Sequence, residues 1–187
     1  MEKYRVERER EFKPHHILIG AAQIALESAE AKTPGWLYHE LIAITFSALA
    51  FEALTNSFGE RLVTRWGDFE SASPIAKLRI ICSRLGVEPD FEKEPWSATL
   101  RLVKFRNKVA HAKPESISFD KTMTKEEFEK HRFEYPHSKL EMQINLKNAK
   151  SSVSAVDQIL ELFYPKLTDD EKYHLYSSGF SGSTSIC

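Results

Sequence analysis

The sequence predicts an all-α fold, and three observations carry that expectation. Glycine is scarce, apolar residues recur at helical spacing over five long stretches, and prolines fall where helices begin or end. Seven glycines in 187 residues is roughly half the usual share of 7%, which leaves little material for tight hairpins. The length suits one domain that removes roughly 70% of its unfolded surface from water. We therefore expect a bundle of four to five core helices within a single domain at 1–176. An irregular insertion (113–146) precedes the last long helix, and a Ser/Gly-rich tail (177–187) should be loosely held.

The elements follow in order. The N-terminal arm alternates charges (Arg5, Glu7, Arg8, Glu9, Arg10, Glu11) and lacks the apolar run of a signal peptide or membrane anchor. Pro14 starts a helix that Thr33-Pro34-Gly35 breaks. From Trp36 to Phe58 the chain is apolar nearly all round, as expected of a bundle's central helix; Gly59 either ends it or is passed on the way to Trp66. The most apolar part, Leu41 to Leu54, is interrupted by Thr45, Ser47 and Glu52 and falls short of the ~20 residues a bilayer requires. Ser73-Pro74 is a cap with proline in the first turn, and Gly86 closes that third helix.

A fourth helix spans Trp96 to about Ala112, stopped by Pro114. Within the insertion, Thr124 and Glu127 resemble a capping box for a short helix through Arg132, and alternation at Leu140 to Leu146 suggests an extended piece. The last long helix runs from about Lys147 to Tyr164, and Thr168 caps a final short one.

Composition excludes several function classes. Twenty-six Lys+Arg against 27 Asp+Glu give a net charge of -1, so attraction to a polyanion must come from local clustering. Cys82 and Cys187 cannot build a disulfide framework or a zinc ribbon, which suits a reducing, cytoplasmic setting. His39-Glu40 begins like a zinc-protease helix, but Ala43 stands where the second histidine is needed. His15-His16 are adjacent and diverge on a helix, and His131 and His137 lie in the irregular segment without a nearby cysteine. No metal site and no cofactor are expected.

The fourth helix concentrates the chemistry. At about 100° per residue, one stripe holds Trp96, Leu100, Val103, Asn107, Ala110 and His111, and another holds Ala98, Leu102, Phe105, Val109 and Ala112. Ser97, Arg101, Lys104 and Lys108 form the solvent wedge. Arg106 projects opposite that wedge and needs a partner, because an unpaired buried charge costs several kcal/mol. From Pro95 to Lys113 there are five basic residues (Arg101, Lys104, Arg106, Lys108, Lys113) and no acidic one. Such a helix suits phosphate, and Asn107, four residues before His111, is placed to orient its imidazole. A plainer reading makes His111 a helix-end group and Arg106 one half of an ion pair with Glu52. In the same vein, Thr45, Ala48, Glu52, Thr55 and Asn56 would form a stripe facing water.

The run Phe105-Arg106-Asn107-Lys108-Val109-Ala110-His111 resembles the signature of the HEPN superfamily, an arginine, a polar residue and a histidine four to six positions on. Ala50-Phe51-Glu52-Ala53-Leu54-Thr55-Asn56 is similar to that family's earlier helix, with its glutamate and asparagine. The resemblance covers roughly residues 14–112 and the late helix near 147–164. It implies a HEPN-like bundle, commonly dimeric, and a metal-independent endoribonuclease of defence or toxin-like character acting on single-stranded RNA.

Carried over residue by residue, Arg106 would hold the scissile phosphate, His111 would move protons, and Asn107 would orient His111. Glu52 and Asn56 would position Arg106, while Arg101, Lys104, Lys108 and Lys113 would contact RNA. Attack by the 2′-hydroxyl needs a base, an acid and a cation, and two copies of His111 across a homodimer would share the proton transfers. The alternative the family allows is an inactive module that binds a nucleotide or a protein partner. Family toxins often carry a tyrosine two residues after the histidine; Lys113 stands there, so an antitoxin that modifies that tyrosine is not implied.

Overall fold

The computed structural model describes residues 4–133, 135–177 and 180–186; the reading on Cys187 lies outside them. Among the described residues seven α-helices make up most of the structure, compatible with an all-α class, with one antiparallel strand pair added. Pro14 occupies the first turn of α1 (Pro14–Glu30), and Ala22, Ala25 and Ala29 line its buried side. Small residues three and four apart let a neighbouring helix approach closely. The chain reverses through Lys32 and Gly35, both at positive φ, into α2 (Trp36–Leu62).

Helix α2 is the central element, packing against α1, α3 (Pro74–Leu85), α4 (Trp96–Ala110), α6 (Leu146–Phe163) and α7 (Asp169–Tyr176). That is why it is apolar nearly all round: Phe51, Leu54 and Phe58 are sealed completely. At 27 residues it is long and apolar enough to cross a membrane, beyond the shorter stretch legible in the sequence. Half of its most apolar window is buried inside the protein. The helix passes Gly59 because the Trp66 ring lies against it; a β-carbon there would sit 2.2 Å from the ring.

Helix α3 has the expected ends: the Ser73 hydroxyl accepts from the Ala76 amide at 3.2 Å, and Gly86 closes it at φ +66°. Helix α6 is capped by Asn145, whose side chain accepts from the Asn148 amide at 2.9 Å. Capping boxes start both α5 (Lys125–His131) and α7. Phe58 meets Phe163 at 5.5 Å and Tyr176 at 6.0 Å between ring centroids, which ties α2, α6 and α7 together.

Three expectations are corrected. Residues 140–146 form no extended piece. Glu141–Gln143 make a 3-10 turn, and helix α6 begins at Leu146, because the Ser138 and Asn145 side chains cap successive turns there. Within the expected loose tail, Phe180–Ile186 (β2) instead pairs antiparallel with Tyr4–Arg10 (β1), Glu7 opposite Ser183. Strand β1 is exposed along its whole length, so the pairing owes nothing to core burial. The stripe on α2 expected to face water is only partly exposed: Ala48 and Thr55 are buried, Thr45 and Glu52 are half-buried, and Asn56 is exposed.

Candidate functional site

The last two turns of α4 assemble the site. Ala98, Leu102 and Phe105 bury one face of the helix, while Arg101, Lys104 and Lys108 stand in solvent as the periodicity predicts. Arg106 leaves from the edge of the packed face and reaches α2, where its Nη2 donates to Glu52 Oε2. The side chains are 32% and 29% exposed, so the pair is half-buried and open to a ligand. Arg106 Nη1 donates to Asn107 Oδ1 at 3.0 Å. A guanidinium has five N–H donors, and these contacts leave three.

Asn107 was expected to orient His111; its carbonyl is instead committed to Arg106, and its NH2 remains for the groove beside it. His111 ends α4, its backbone amide donating to Asn107 O at 3.1 Å, and its exposed ring has no hydrogen-bond partner among the described residues. The helix thus ends through the main chain and leaves the imidazole available.

His111 and Asn107 line an open groove of about 780 Å³ together with Lys104, Lys108 and Lys113. The far wall comes from the insertion, through Ile117, Ser138, Lys139 and Leu140. Four lysines face one carboxylate, Glu115, and among the described residues none of the four makes an ion pair. Lys139 and Ser138 were not legible as site residues. They reach the groove only because the chain folds back before α6, and no local pattern announces that.

One assigned role is corrected by geometry. Asn56 does not touch Arg106; its Oδ1 accepts from the buried Lys77 Nζ at 2.8 Å, and that ammonium lies 5.8 Å from the Trp66 ring centroid. Asn56 is one turn beyond Glu52 on α2 and is claimed by α3 instead of α4. Arg101, expected to contact RNA, is exposed but is not among the residues lining the groove; it pairs with Glu94 and donates to Ser97 Oγ at 3.2 Å and Ser151 Oγ at 3.1 Å, bracing α4 against α6. Partial burial disfavours the Glu94 carboxylate, but its bonds to Arg101 and Ser97 outweigh this and hold its carboxyl below the usual range.

Elsewhere the titratable groups are structural. His15 is sealed, Nδ1 lies 3.1 Å from Ser57 Oγ, and burial, reinforced by His16 and Lys13, pulls its pKa down to about 4. Burial pushes the Cys82 thiol up to about 12, which makes it inert at neutral pH. Glu40, from the dismissed zinc-protease pattern, is buried near the Leu146 backbone, with its pKa raised by burial. Among the described residues no three His, Cys, Asp or Glu side chains converge on a metal-sized space.

Set beside known proteins, the chain matches no family model, and no curated protein or solved structure matches it. The class the fold itself defines is a helical bundle with a basic groove along one helix. Any narrower assignment rests on the site's chemistry.

Proposed function

We propose that this protein is a HEPN-type endoribonuclease that cuts single-stranded RNA, works as a cytoplasmic homodimer and uses the 2′-hydroxyl of its substrate as nucleophile. The observation that carries the proposal is an exposed imidazole, without a protein partner among the described residues, in a groove of unpaired lysines; Arg106 is not among the residues lining that groove but is bonded to Asn107 on its wall and keeps three spare donors. Lys104, Lys108 and Lys113 hold the strand, and Arg106, fixed by Glu52, binds the phosphoryl oxygens as charge develops on them. Asn107 offers its NH2 to the same phosphate or to the imidazole. His111 takes the 2′-proton as neutral imidazole, and the partner subunit's His111 protonates the departing 5′-oxygen. DNA lacks the internal nucleophile and is left intact.

A second reading is favoured by the same ion pair: Arg106 serves α2–α4 packing, and the groove binds a nucleotide or a protein partner without cutting. One experiment separates them. Wild type cleaves single-stranded RNA in EDTA, and His111→Ala slows cleavage by at least ~100-fold while the fold persists. Intact RNA with folded wild-type dimer decides for the inactive module.

A further inference from the structure

Among the described residues, β1 pairs as a strand with β2 alone. Strand β1 is exposed throughout, residues 181–185 of β2 are exposed, and neither strand packs along a helix. A two-stranded ribbon is marginal by itself in water and gains stability from a third strand or a covered face. Its outer edge on β1 is a row of backbone donors and acceptors open to another strand.

The side chains say which strand fits. Charges on an edge ordinarily keep other strands away, but here their signs are ordered. Counting outward from Val6, Arg5 mirrors Glu7, and the sequence continues the pattern, with Lys3 mirroring Glu9 and Glu2 mirroring Arg10. When two identical strands pair antiparallel about a two-fold axis, residues equidistant from the axis stand opposite each other. With the axis at Val6, Arg5 faces the partner's Glu7, and Glu7 faces the partner's Arg5. Moving the axis to Glu7 sets two carboxylates face to face, and moving it to Arg5 or Arg8 sets two guanidinium groups face to face; like charges so placed destabilise a sheet. Only the register centred on Val6 matches every charge with its opposite. The Arg5 and Glu7 side chains are 71% and 59% exposed, and across the ribbon they face the uncharged Ser185 and Ser183. Both charges are therefore accessible to a second strand.

We infer that β1 is a self-association edge: two copies of this chain pair antiparallel through Tyr4–Arg10 with Val6 at the two-fold axis, giving a four-stranded sheet in the order β2–β1–β1–β2. The two Arg10 ends, from which each chain enters its bundle, then lie about 27 Å apart along the sheet at ~3.4 Å per residue. The bundles thus lead away from opposite ends of the sheet. This contact is separate from the α4 seam of the ribonuclease reading and does not rest on it.

The test changes exposed positions of the full chain and needs no activity. Sedimentation velocity over a concentration series follows wild type, Arg5→Glu, Glu7→Arg and an equimolar mixture of the two variants. Alone, Arg5→Glu sets carboxylate against carboxylate twice, and Glu7→Arg sets guanidinium against guanidinium twice. Each should weaken the association step of wild type by at least ~tenfold, the effect of two reversed cross-strand pairs. In the mixture, residue 5 of one variant meets residue 7 of the other with opposite charge at both places, and most of the lost affinity should return. Variants that associate as wild type does, a monomeric wild type included, overturn the edge, as does a mixture no stronger than its components. RNA cleavage by wild type is read separately, so either conclusion can fail while the other stands.

Discussion

Two groups of basic side chains in this protein are treated in opposite ways. Around the C-terminal half of α2, Lys13, His15 and Lys77 are buried, and each has an internal partner: the Ser177 carbonyl, the Ser57 hydroxyl and the Asn56 amide. Along the end of α4, Lys104, Lys108, Lys113 and His111 are exposed and have no ion-pair partner among the described residues. Removal from water forces the first group to find polar contacts within the fold. The second group keeps its hydration and its field, and an anion entering the groove meets several unneutralised charges at once. The difference teaches that basic residues here cannot be assigned to function by count alone. Arg101 looks like a member of the groove in sequence, but it lies outside the groove's lining and braces Glu94 and Ser151.

The largest effect should come from reversing charge in the groove. Lys104→Glu combined with Lys108→Glu should weaken binding of single-stranded RNA by at least ~100-fold and flatten the slope of log K against log salt by about 1.4. Fluorescence anisotropy across a salt series reads both. Unchanged affinity would remove the groove from consideration.

The buried group should answer to acid instead. His15 has its pKa lowered to about 4 by burial, and His16 moves in the same direction for the same first reason. Protonation therefore favours the unfolded chain. Stability is complete above about pH 6.5 and is lost progressively as pH falls toward 4, by about 3 kcal/mol for His15 alone. Denaturant titrations between pH 7 and 4 on wild type and His15→Gln should show a shallower acid slope in the variant. Equal slopes would mean that His15 is not the group being charged.

Arg106 stands between the two groups, and its ion pair gives the smallest expected effect. Arg106→Ala should cost about 2 kcal/mol, between the values for exposed and fully buried pairs. A double-mutant cycle with Glu52→Gln isolates the coupling. A coupling near zero would place Arg106 wholly with the ligand-facing residues, and one above ~4 kcal/mol would place it with the structural ones.

Much of this was legible before any fold was known, for local reasons. Ser73, Thr124 and Thr168 announce helix starts because a cap acts within one turn, and the exposed wedge Arg101, Lys104 and Lys108 follows from rotation about a single axis. The requirement that Arg106 find a partner followed from its place opposite that wedge. Glu52 was named for it on resemblance, and the two meet.

Asn56, one turn further along α2, was named on the same grounds and is bound to Lys77, because α3 lies against α2 at that level. The β1–β2 pairing joins residues at least 170 positions apart. Neither strand carries an apolar alternation strong enough to declare it, since both lie outside the core.

Taken alone, the chain determines where its helices begin and end and which side of α4 carries charge, because caps, prolines and apolar spacing act over a few residues. Tertiary structure decided which carboxylate meets Arg106, which lysines are spent internally, and that Ser138 and Lys139 close a groove opposite His111. Those outcomes depend on the relative positions of helices distant in sequence, and such positions are set by the packing of the whole core.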